Sequence, residues 1–264
     1  MLTISNLYIY PVKSLGGFSL PAATLTDRGF KYDRRWMLID ENNRFLSQRE
    51  VPAMALLQAT ILEENLLITN KKTADLIMIP YKPLTSETML VSVWEDNCVA
   101  QRVSDEADAW FSRQLDMSCR LVYMPDSTQR TVDEQYAHNK EITSFSDGYP
   151  LLIIGQASLD DLNSRLTSPL PMNRFRPNIV FTGGLPFQED NMVQFSIGDI
   201  QFFGVKPCAR CVITTIDQES GIKAKEPLKT LSTYRAKNQK IYFGQNLLFN
   251  GSGTIHVGDT ITLP

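Results

Sequence analysis

Apolar and polar positions alternate with a period of two along the first third of the chain, which is the pattern of strands that bury one face. The alternation predicts one strand over residues 2–12. It then predicts three hairpins, over 34–50, 55–70 and 88–103, which turn at the polar runs 40–43, 63–66 and 95–97. Turns at such short spacing are typical of an all-β sheet or barrel.

The second half of the chain adds strands and a small number of helices. Alternation predicts strands at 176–183, 193–205, 211–217 and 253–264. Helices are predicted at 105–115 after a capping Ser104, at 158–166 with a Ser158–Asp161 capping box, and at 226–235 with Pro227 in the first turn. The polar segment 124–145 is long enough to favour a functional loop. The fold is therefore predicted to be mainly β with a few helices.

Composition narrows the function classes. The 264 residues carry a formal charge of −3, which disfavours nucleic acid as the main partner because that partner favours a basic face. No apolar run approaches the roughly 18–20 residues of a membrane-spanning helix, so no membrane span is expected. Four cysteines in a chain of this length do not predict a disulfide scaffold. We expect free thiols and a cytoplasmic location.

Two of the four cysteines, Cys208 and Cys211, form a C-x-x-C pair in the stretch KPCARC. Such a pair can bind zinc, cycle as a dithiol or fill a core. Structural zinc usually needs four ligands, but the chain has no second pair and only two histidines. A reactive dithiol prefers a helix N-terminus, whereas VITTI after Cys211 predicts a strand. Lys206 and Arg210 are poor core residues, yet they would favour a thiolate that binds a metal beside a non-protein ligand.

Three more basic clusters accompany the predicted strands. They are Lys13 with Ser14, Arg34 with Arg35, and Arg174 with Arg176 and Asn178. An inward arginine is costly unless it is paired, so either a shared anion or carboxylates of the protein must face these groups. The signature sequences of nucleotide-binding loops, serine hydrolases and zinc proteases are absent.

The clusters together resemble a known family. The stretches YPVKSLGG, YDRRWMLID, SFSDGYPLLI, ASLDDLNSRL, RFRPNIV, KPCARCVITTID, EPLKTLSTYR, and FGQNL followed by GTIHVGD, occur in the order seen in MOSC-domain proteins. The chain resembles the bacterial YcbX and mitochondrial amidoxime-reducing branches, in which an N-terminal MOSC-associated β-barrel domain precedes the MOSC domain. The resemblance implies a β-barrel-like domain over residues 1–120 and a β-barrel MOSC domain over 121–264.

The resemblance also implies a molybdenum cofactor, a phosphorylated pterin whose dithiolene chelates molybdenum. Cys211 matches the catalytic cysteine that adds a thiolate to the metal, while Cys208 has no implied role. The implied cofactor contacts are Lys13, Ser14, Arg34, Gly148, Tyr149, Arg176, Asn178, Ala209, Arg210 and Cys211. Gly148, Tyr149 and Ala209 replace hydroxyl residues of some relatives, so only backbone contacts are expected there.

The implied reaction removes oxygen reductively from small N-hydroxylated substrates, such as amidoximes or hydroxylated base analogues. Electrons would come from a separate or fused flavin or iron–sulfur donor, although the ferredoxin domain of some relatives is not in this sequence. Asp147 and Asp217 are candidate proton donors, and the family is also associated with pyridoxal phosphate binding. Two alternatives stay open: a sulfur carrier with a persulfide on the same cysteine, and a protein that binds and delivers the cofactor.

Overall fold

The computed structural model describes residues 1–264 and is mainly β, as the alternation predicts. The strands are β1 (Leu2–Ile9), β2 (Phe18–Leu20), β3 (Ala22–Thr26), β4 (Gly29–Phe30), β5 (Trp36–Ile39), β6 (Leu57–Ile61), β7 (Asn65–Asn70), β8 (Leu76–Pro80), β9 (Thr88–Val93), β10 (Asp96–Arg102), β11 (Arg120–Tyr123), β12 (Arg130–Thr131), β13 (Ile142–Thr143), β14 (Leu151–Gly155), β15 (Ile179–Thr182), β16 (Gln194–Ile197), β17 (Ile200–Ala209), β18 (Ala236–Lys237), β19 (Lys240–Asn250), β20 (Gly253–His256) and β21 (Thr260–Thr262).

Helices are few and short. The α-helices are α1 (Asp105–Leu115), α2 (Gln156–Ser164) and α3 (Leu228–Leu231), and 3-10 turns cover Pro52–Leu56, Met172–Phe175, Gln188–Asn191 and Val212–Thr215. None of the α-helices combines the length and the apolar character that crossing a membrane requires.

Seven strands close into a barrel in the order β14-β15-β1-β21-β16-β17-β19, and β19 pairs back with β14. The N-terminal strand β1 therefore belongs to a barrel whose other six strands come from the second half of the chain. Outside the barrel path, β3 pairs with β20. The barrel interior is apolar and includes Leu7, Phe181, Phe202, Leu247 and Ile261. The division at residue 120 stays a prediction.

The inward-facing positions of β1 switch from even to odd residue numbers partway along the strand. Leu2 and Ile4 are buried at even positions, but Leu7 and Ile9 are buried at odd positions. The register with β15 shifts between Ile4 and Asn6, where an extra residue forms a bulge. Because successive side chains of a strand point to opposite faces, one extra residue is what keeps both halves of the apolar set inside the barrel.

Seven further strands of the first half form two smaller sheets, β5-β11-β10-β9 and β6-β7-β8. Helix α1 packs on them through Trp110 and Phe111, against a core that also contains Trp36. Its start agrees with the sequence prediction, because the Ser104 hydroxyl accepts a hydrogen bond from the Ala107 amide at 3.1 Å. The hairpins over 55–70 and 88–103 are also confirmed, as β6–β7 and β9–β10.

The predicted hairpin over 34–50 is only half correct. Its first strand is β5, but that strand pairs with β11 rather than with the segment that follows it. The return segment approaches β5 through one isolated bridge between Ile39 and Phe45 and through the Leu46 amide, which donates to the Leu38 carbonyl at 2.8 Å. The chain then leaves the sheet toward the 3-10 turn over Pro52–Leu56.

The predicted capping box at Ser158 is wrong. Helix α2 begins two residues earlier, at Gln156, and no side chain caps it. The Ser158 hydroxyl lies inside the helix and donates to the Glu189 carboxylate at 2.8 Å, while the Phe187 amide donates to the same hydroxyl at 2.7 Å. A buried carboxylate from another part of the chain therefore binds the hydroxyl, and sequence spacing within the helix carries no information about it.

Glu189 gives the fold a pH dependence that can be measured. Its side chain is buried, its Oε1 has no partner, and burial raises its pKa to about 6. The folded state therefore favours the protonated carboxyl, so its stabilisation is present below the unfolded pKa and is lost as pH rises through about 6. We therefore expect the difference in the free energy of unfolding, Glu189→Gln minus wild type, to increase by roughly 1–2 kcal/mol between pH 4.5 and pH 8.

Urea unfolding at a series of pH values measures this difference. Glu134→Gln, at an exposed glutamate, is the matched control and should run parallel to the wild type. A Glu189→Gln curve that also runs parallel would show that this carboxyl titrates alike in the folded and unfolded chains.

Candidate functional site

One cavity of about 330 Å³ gathers every site residue implied by the sequence motifs. Its lining includes Lys13, Ser14, Arg34, Gly148, Tyr149, Arg176, Asn178, Ala209, Arg210 and Cys211. These residues come from five separated stretches of the chain, which the barrel and its flanking loops bring together. The structure thus groups them; their role as cofactor contacts stays a prediction.

Three of these residues adopt left-handed backbone conformations that residues other than glycine rarely take. The φ angles are +67° at Ser14, +49° at Arg34 and +53° at Arg176. Arg34 thus precedes β5 instead of lying in a strand, so strand alternation does not set its direction. Backbone strain of this kind is retained where the surroundings enforce it, and it concentrates at functional sites.

Lys13 is a buried cationic side chain of the cavity lining. Its backbone amide donates to the Trp36 carbonyl at 2.8 Å, which fixes the turn after β1. Its ammonium donates to the Phe145 carbonyl at 2.8 Å and to the Asp147 carboxylate at 2.6 Å. Burial lowers the pKa of Lys13, and Asp147 offsets part of that effect.

The two candidate proton donors are both held as carboxylates. Desolvation alone would raise the pKa of Asp147, but Lys13 and a hydrogen bond from Trp94 hold that pKa far below its usual range. Desolvation likewise acts to raise the pKa of Asp217, but bonds from Ser220 and the charge of Arg174 leave it lowered. Neither carboxyl carries a proton to donate at neutral pH, so the structure does not support either as the acid.

Arg34 and Arg176 lie together over one aromatic ring. Their guanidinium carbons are 4.4 and 4.2 Å from the centroid of the Tyr10 ring. Arg34 donates to the buried Asp33 carboxylate at 2.5 Å and to the Asn178 side-chain oxygen at 3.2 Å. Burial and then the neighbouring Arg34 lower the pKa of Arg176 to about 10. This pair of like charges would be stabilised by an anion in the cavity.

Arg210 is fixed by two carbonyls and leaves one nitrogen unused. Its Nε donates to the Phe243 carbonyl at 2.6 Å and its Nη1 donates to the Phe175 carbonyl at 2.9 Å. Its Nη2 is buried without a partner. Gly244, at φ +84°, leaves room for this group, since a Cβ there would lie 3.1 Å from Nη2.

The two cysteines of the C-x-x-C pair have different surroundings. Both line the cavity, but Cys208 also packs against the apolar cluster beneath α2, and burial raises the pKa of its thiol. Cys208 therefore stays protonated at neutral pH. Cys211 is half-buried, lies two residues after the end of β17, and is the cysteine that the sequence resemblance implies as the metal ligand.

The strand predicted after Cys211 is wrong. Val212–Thr215 forms a 3-10 turn, in which the Thr214 hydroxyl donates to the Cys211 carbonyl at 3.0 Å and the Thr215 hydroxyl donates to the Val212 carbonyl at 2.7 Å. Threonine hydroxyls that bond the carbonyl three residues back stabilise a turn against their strand propensity. The segment after Cys211 therefore gives no reason to disfavour a dithiol, and it is the cationic side chains of the cavity lining that favour a single metal-binding thiol.

The charge of the cavity lining is strongly unbalanced. Its cationic side chains are Lys13, Arg34, Arg49, Arg174, Arg176, Lys206, Arg210 and Lys240, and its carboxylate is Asp147. No group of three or more histidine, cysteine, aspartate or glutamate side chains is placed to hold a metal ion. A phosphorylated pterin that chelates its own metal fits this lining, because it brings negative charge and needs one thiolate from the protein.

Sequence reasoning missed two cationic residues of the lining, Arg49 and Lys240. The guanidinium carbon of Arg49 lies 4.2 Å from the Trp94 ring centroid, at a hairpin turn far away in sequence. Lys240 begins β19. Neither residue belongs to a motif, so the one available signal is an unpaired cation beside a predicted turn.

Comparison with known proteins agrees with this geometry. The family model described as "MOSC N-terminal beta barrel domain" matches residues 1–118, and the model described as "MOSC domain" matches residues 140–262. The chain is 35% identical to mitochondrial amidoxime-reducing component 1 of Mus musculus, over 99% of this chain and 82% of the relative. Mitochondrial amidoxime reducing component 2 of Rattus norvegicus is 33% identical, over 98% of this chain and 82% of its own length.

A third relative has a different name and a longer chain. Molybdenum cofactor sulfurase of Oryza sativa subsp. japonica is 33% identical over 91% of this chain, but the match spans 32% of that protein. The family resemblance expected from the motifs is confirmed by these matches. The chain belongs to the family of MOSC proteins with an N-terminal β-barrel domain that includes the mitochondrial amidoxime-reducing components.

Proposed function

We propose that this protein is a molybdenum-cofactor-dependent oxidoreductase that removes oxygen from N-hydroxylated compounds such as amidoximes. One observation carries the proposal: the half-buried thiol of Cys211 lines a cavity whose other charged groups are nearly all cationic. Membership of a family that includes amidoxime-reducing components supports the substrate class.

The cavity residues divide the work of holding the cofactor. Arg34, Arg176 and Arg210 would neutralise the phosphate and bond the pterin, because guanidinium groups recognise planar and phosphorylated groups through paired hydrogen bonds. The Ser14 hydroxyl and the Asn178 side chain would add neutral hydrogen bonds. Gly148, Tyr149 and Ala209 would contribute backbone groups. Gly148 suits such a contact, since nothing lies within 4 Å of the position its Cβ would take.

Cys211 would provide the protein's ligand to the metal. A thiolate is a soft ligand that suits a redox-active transition metal. The bound cofactor would supply a two-electron redox centre able to accept an oxygen atom. The chain itself would position that centre and place cations around it, and would leave room in the cavity for a small substrate.

A sulfur carrier is the second candidate function, because the name of the rice relative associates this sequence with sulfur chemistry. That function would also use Cys211, with a persulfide in place of a metal bond. Intact mass separates the two: a metal-free protein carrying one labile extra sulfur atom would favour the carrier. Delivery of the cofactor to an apo-enzyme, without turnover of amidoximes, would favour the third alternative.

One experiment tests the proposal directly. The chain is purified from a host that makes the molybdenum cofactor, and molybdenum and pterin are measured per chain. Reduction of benzamidoxime to benzamidine is then followed with reduced methyl viologen as electron source. We expect about one molybdenum and one pterin per chain together with turnover. Protein that lacks both, from a host that loads other molybdenum enzymes, would overturn the proposal.

The reaction consumes electrons, so we propose a separate flavin or iron–sulfur protein as the donor. A cytoplasmic location and pyridoxal phosphate binding stay predictions.

A further inference from the structure

A strongly basic segment covers residues 222–240, in a chain that is acidic elsewhere. The segment has six Lys or Arg and one Glu, which leaves 20 Lys or Arg against 28 Asp or Glu, a net charge of −8, on the rest of the chain. Its exposed lysines are Lys223, Lys225, Lys229, Lys237 and Lys240, which we call the lysine surface. The segment is therefore a positively charged region on a chain whose other residues carry a net negative charge.

The lysine surface is not neutralised by the protein itself. None of its five lysines forms an ion pair with a carboxylate. The one acid of the segment, Glu226, accepts a hydrogen bond from the Thr230 amide at 3.0 Å, which ties it to the turn that forms α3. Arg235 is the exception among the cations, because it pairs with Asp190. Five positive charges are thus presented outward.

The segment and the residue directly after it, Ile241, are hydrogen-bonded to the backbone on the two sides of Cys211. The Ala224 amide donates to the Thr215 carbonyl at 3.0 Å, four residues after the cysteine. The Arg210 amide, directly before it, donates to the Ile241 carbonyl at 2.7 Å. Lys240 lies both on the lysine surface and in the cavity lining. The lysine surface therefore reaches, at Lys240, the cavity that would hold the redox centre.

We propose that the lysine surface is the docking site for an acidic electron-donor protein. This inference rests on the proposed function. Cleavage of an N–O bond consumes two electrons and two protons and releases water, with the substrate reduced and the donor protein oxidised. A complementary acidic face would be steered to the cavity by the field of the lysines, which raises association rates by about 10- to 1,000-fold at low salt.

The charge pattern favours a small acidic protein over a nucleic acid or a membrane. Exposed charges act over about 8–10 Å at physiological salt. An extended polyanion or an anionic bilayer would reach beyond the lysine surface and meet the acidic remainder of the chain, whereas a donor with one local acidic face would not. Docking beside the cavity also shortens the distance that electrons must cross.

The test compares two electron sources and two double variants. Lys225→Glu/Lys229→Glu changes the lysine surface without touching a cavity residue. Lys72→Glu/Lys82→Glu, at two exposed lysines outside it, makes the same change in net charge. The electron sources are reduced plant-type [2Fe–2S] ferredoxin, an acidic protein, and reduced methyl viologen, which needs no docking surface. Binding of oxidised ferredoxin is measured in parallel by titration calorimetry at low salt.

For Lys225→Glu/Lys229→Glu we expect kcat/KM with ferredoxin to fall at least about 10-fold and ferredoxin affinity to fall with it, while viologen-driven turnover stays within about 2-fold of wild type. Lys72→Glu/Lys82→Glu should keep both activities. Added salt should slow the wild-type ferredoxin reaction and leave the charge-reversed variant nearly unchanged.

Equal losses in the two double variants would overturn the proposal, because they would reflect net charge alone. So would a wild type that neither binds ferredoxin nor accepts its electrons, or a lysine surface that instead binds phosphatidylserine vesicles or duplex DNA. Absence of viologen-driven turnover in the wild type is a separate outcome that contradicts the proposed function, and the calorimetric binding still decides the docking proposal.

Discussion

Cys211→Ala is expected to reduce benzamidoxime turnover by at least about 100-fold, because it removes the protein's bond to the metal. The half-buried side chain makes no hydrogen bond that the fold depends on, so the free energy of unfolding should change by no more than about 1 kcal/mol. Viologen-driven kinetics and urea unfolding measure the two effects on the same preparation.

Cys208→Ala is the matched control, since it removes the neighbouring thiol from the same cavity. Its thiol is held in the protonated form by burial, so we expect turnover to stay within about 3-fold of wild type. If Cys208→Ala abolished turnover and Cys211→Ala preserved it, the roles of the two cysteines would be reversed. Loss in both variants would instead favour a dithiol.

Arg176→Gln should lower the affinity for the molybdenum cofactor by about 10- to 100-fold, because charge-assisted hydrogen bonds to an anion contribute about 1.5–3 kcal/mol. The cofactor affinity of Arg176→Lys should lie between those of the wild type and Arg176→Gln, since an ammonium keeps the charge but loses the paired hydrogen bonds. Pterin fluorescence per purified chain, after dialysis, gives the comparison. Arg165→Gln, at an exposed arginine directly after α2, should retain the wild-type content.

The same Arg176→Gln substitution has a second expected result that a structural role would not produce. Burial and Arg34 lower the pKa of Arg176 to about 10, which means that its charge is unfavourable while the cavity holds no anion. We expect the cofactor-free variant to unfold at an equal or higher urea concentration than cofactor-free wild type. A clear loss of stability would show that Arg176 serves the fold rather than the ligand.

The period-2 pattern predicts much of the fold, because most strands bury one face. It does not predict the bulge between Ile4 and Asn6, where one extra residue shifts the inward parity of β1. It also mistakes Val212–Thr215 for a strand, because β-branched residues suit a strand while the threonine hydroxyls can stabilise a 3-10 turn. Side-chain bonds to the local backbone decide such segments, and alternation does not register them.

The family motifs predict the candidate site better than the distribution of charged residues does. All ten residues that the motifs imply line one cavity. Arg34 and Arg176 point into it through left-handed backbone rather than strand alternation. Asp147 is conspicuous in sequence as a candidate acid, but only the bond to Lys13 shows that it is an ionised partner. Arg49 and Lys240 reach the cavity from loops and strand ends that no motif marks.

The central claim is that Cys211 binds molybdenum inside this cationic cavity. X-ray absorption at the molybdenum edge tests it most directly, because it reports the sulfur atoms bonded to the metal. In the wild type we predict one thiolate sulfur in addition to the two dithiolene sulfurs, and in Cys211→Ser that additional sulfur should disappear. An unchanged sulfur count in Cys211→Ser, with molybdenum still bound, would contradict the claim.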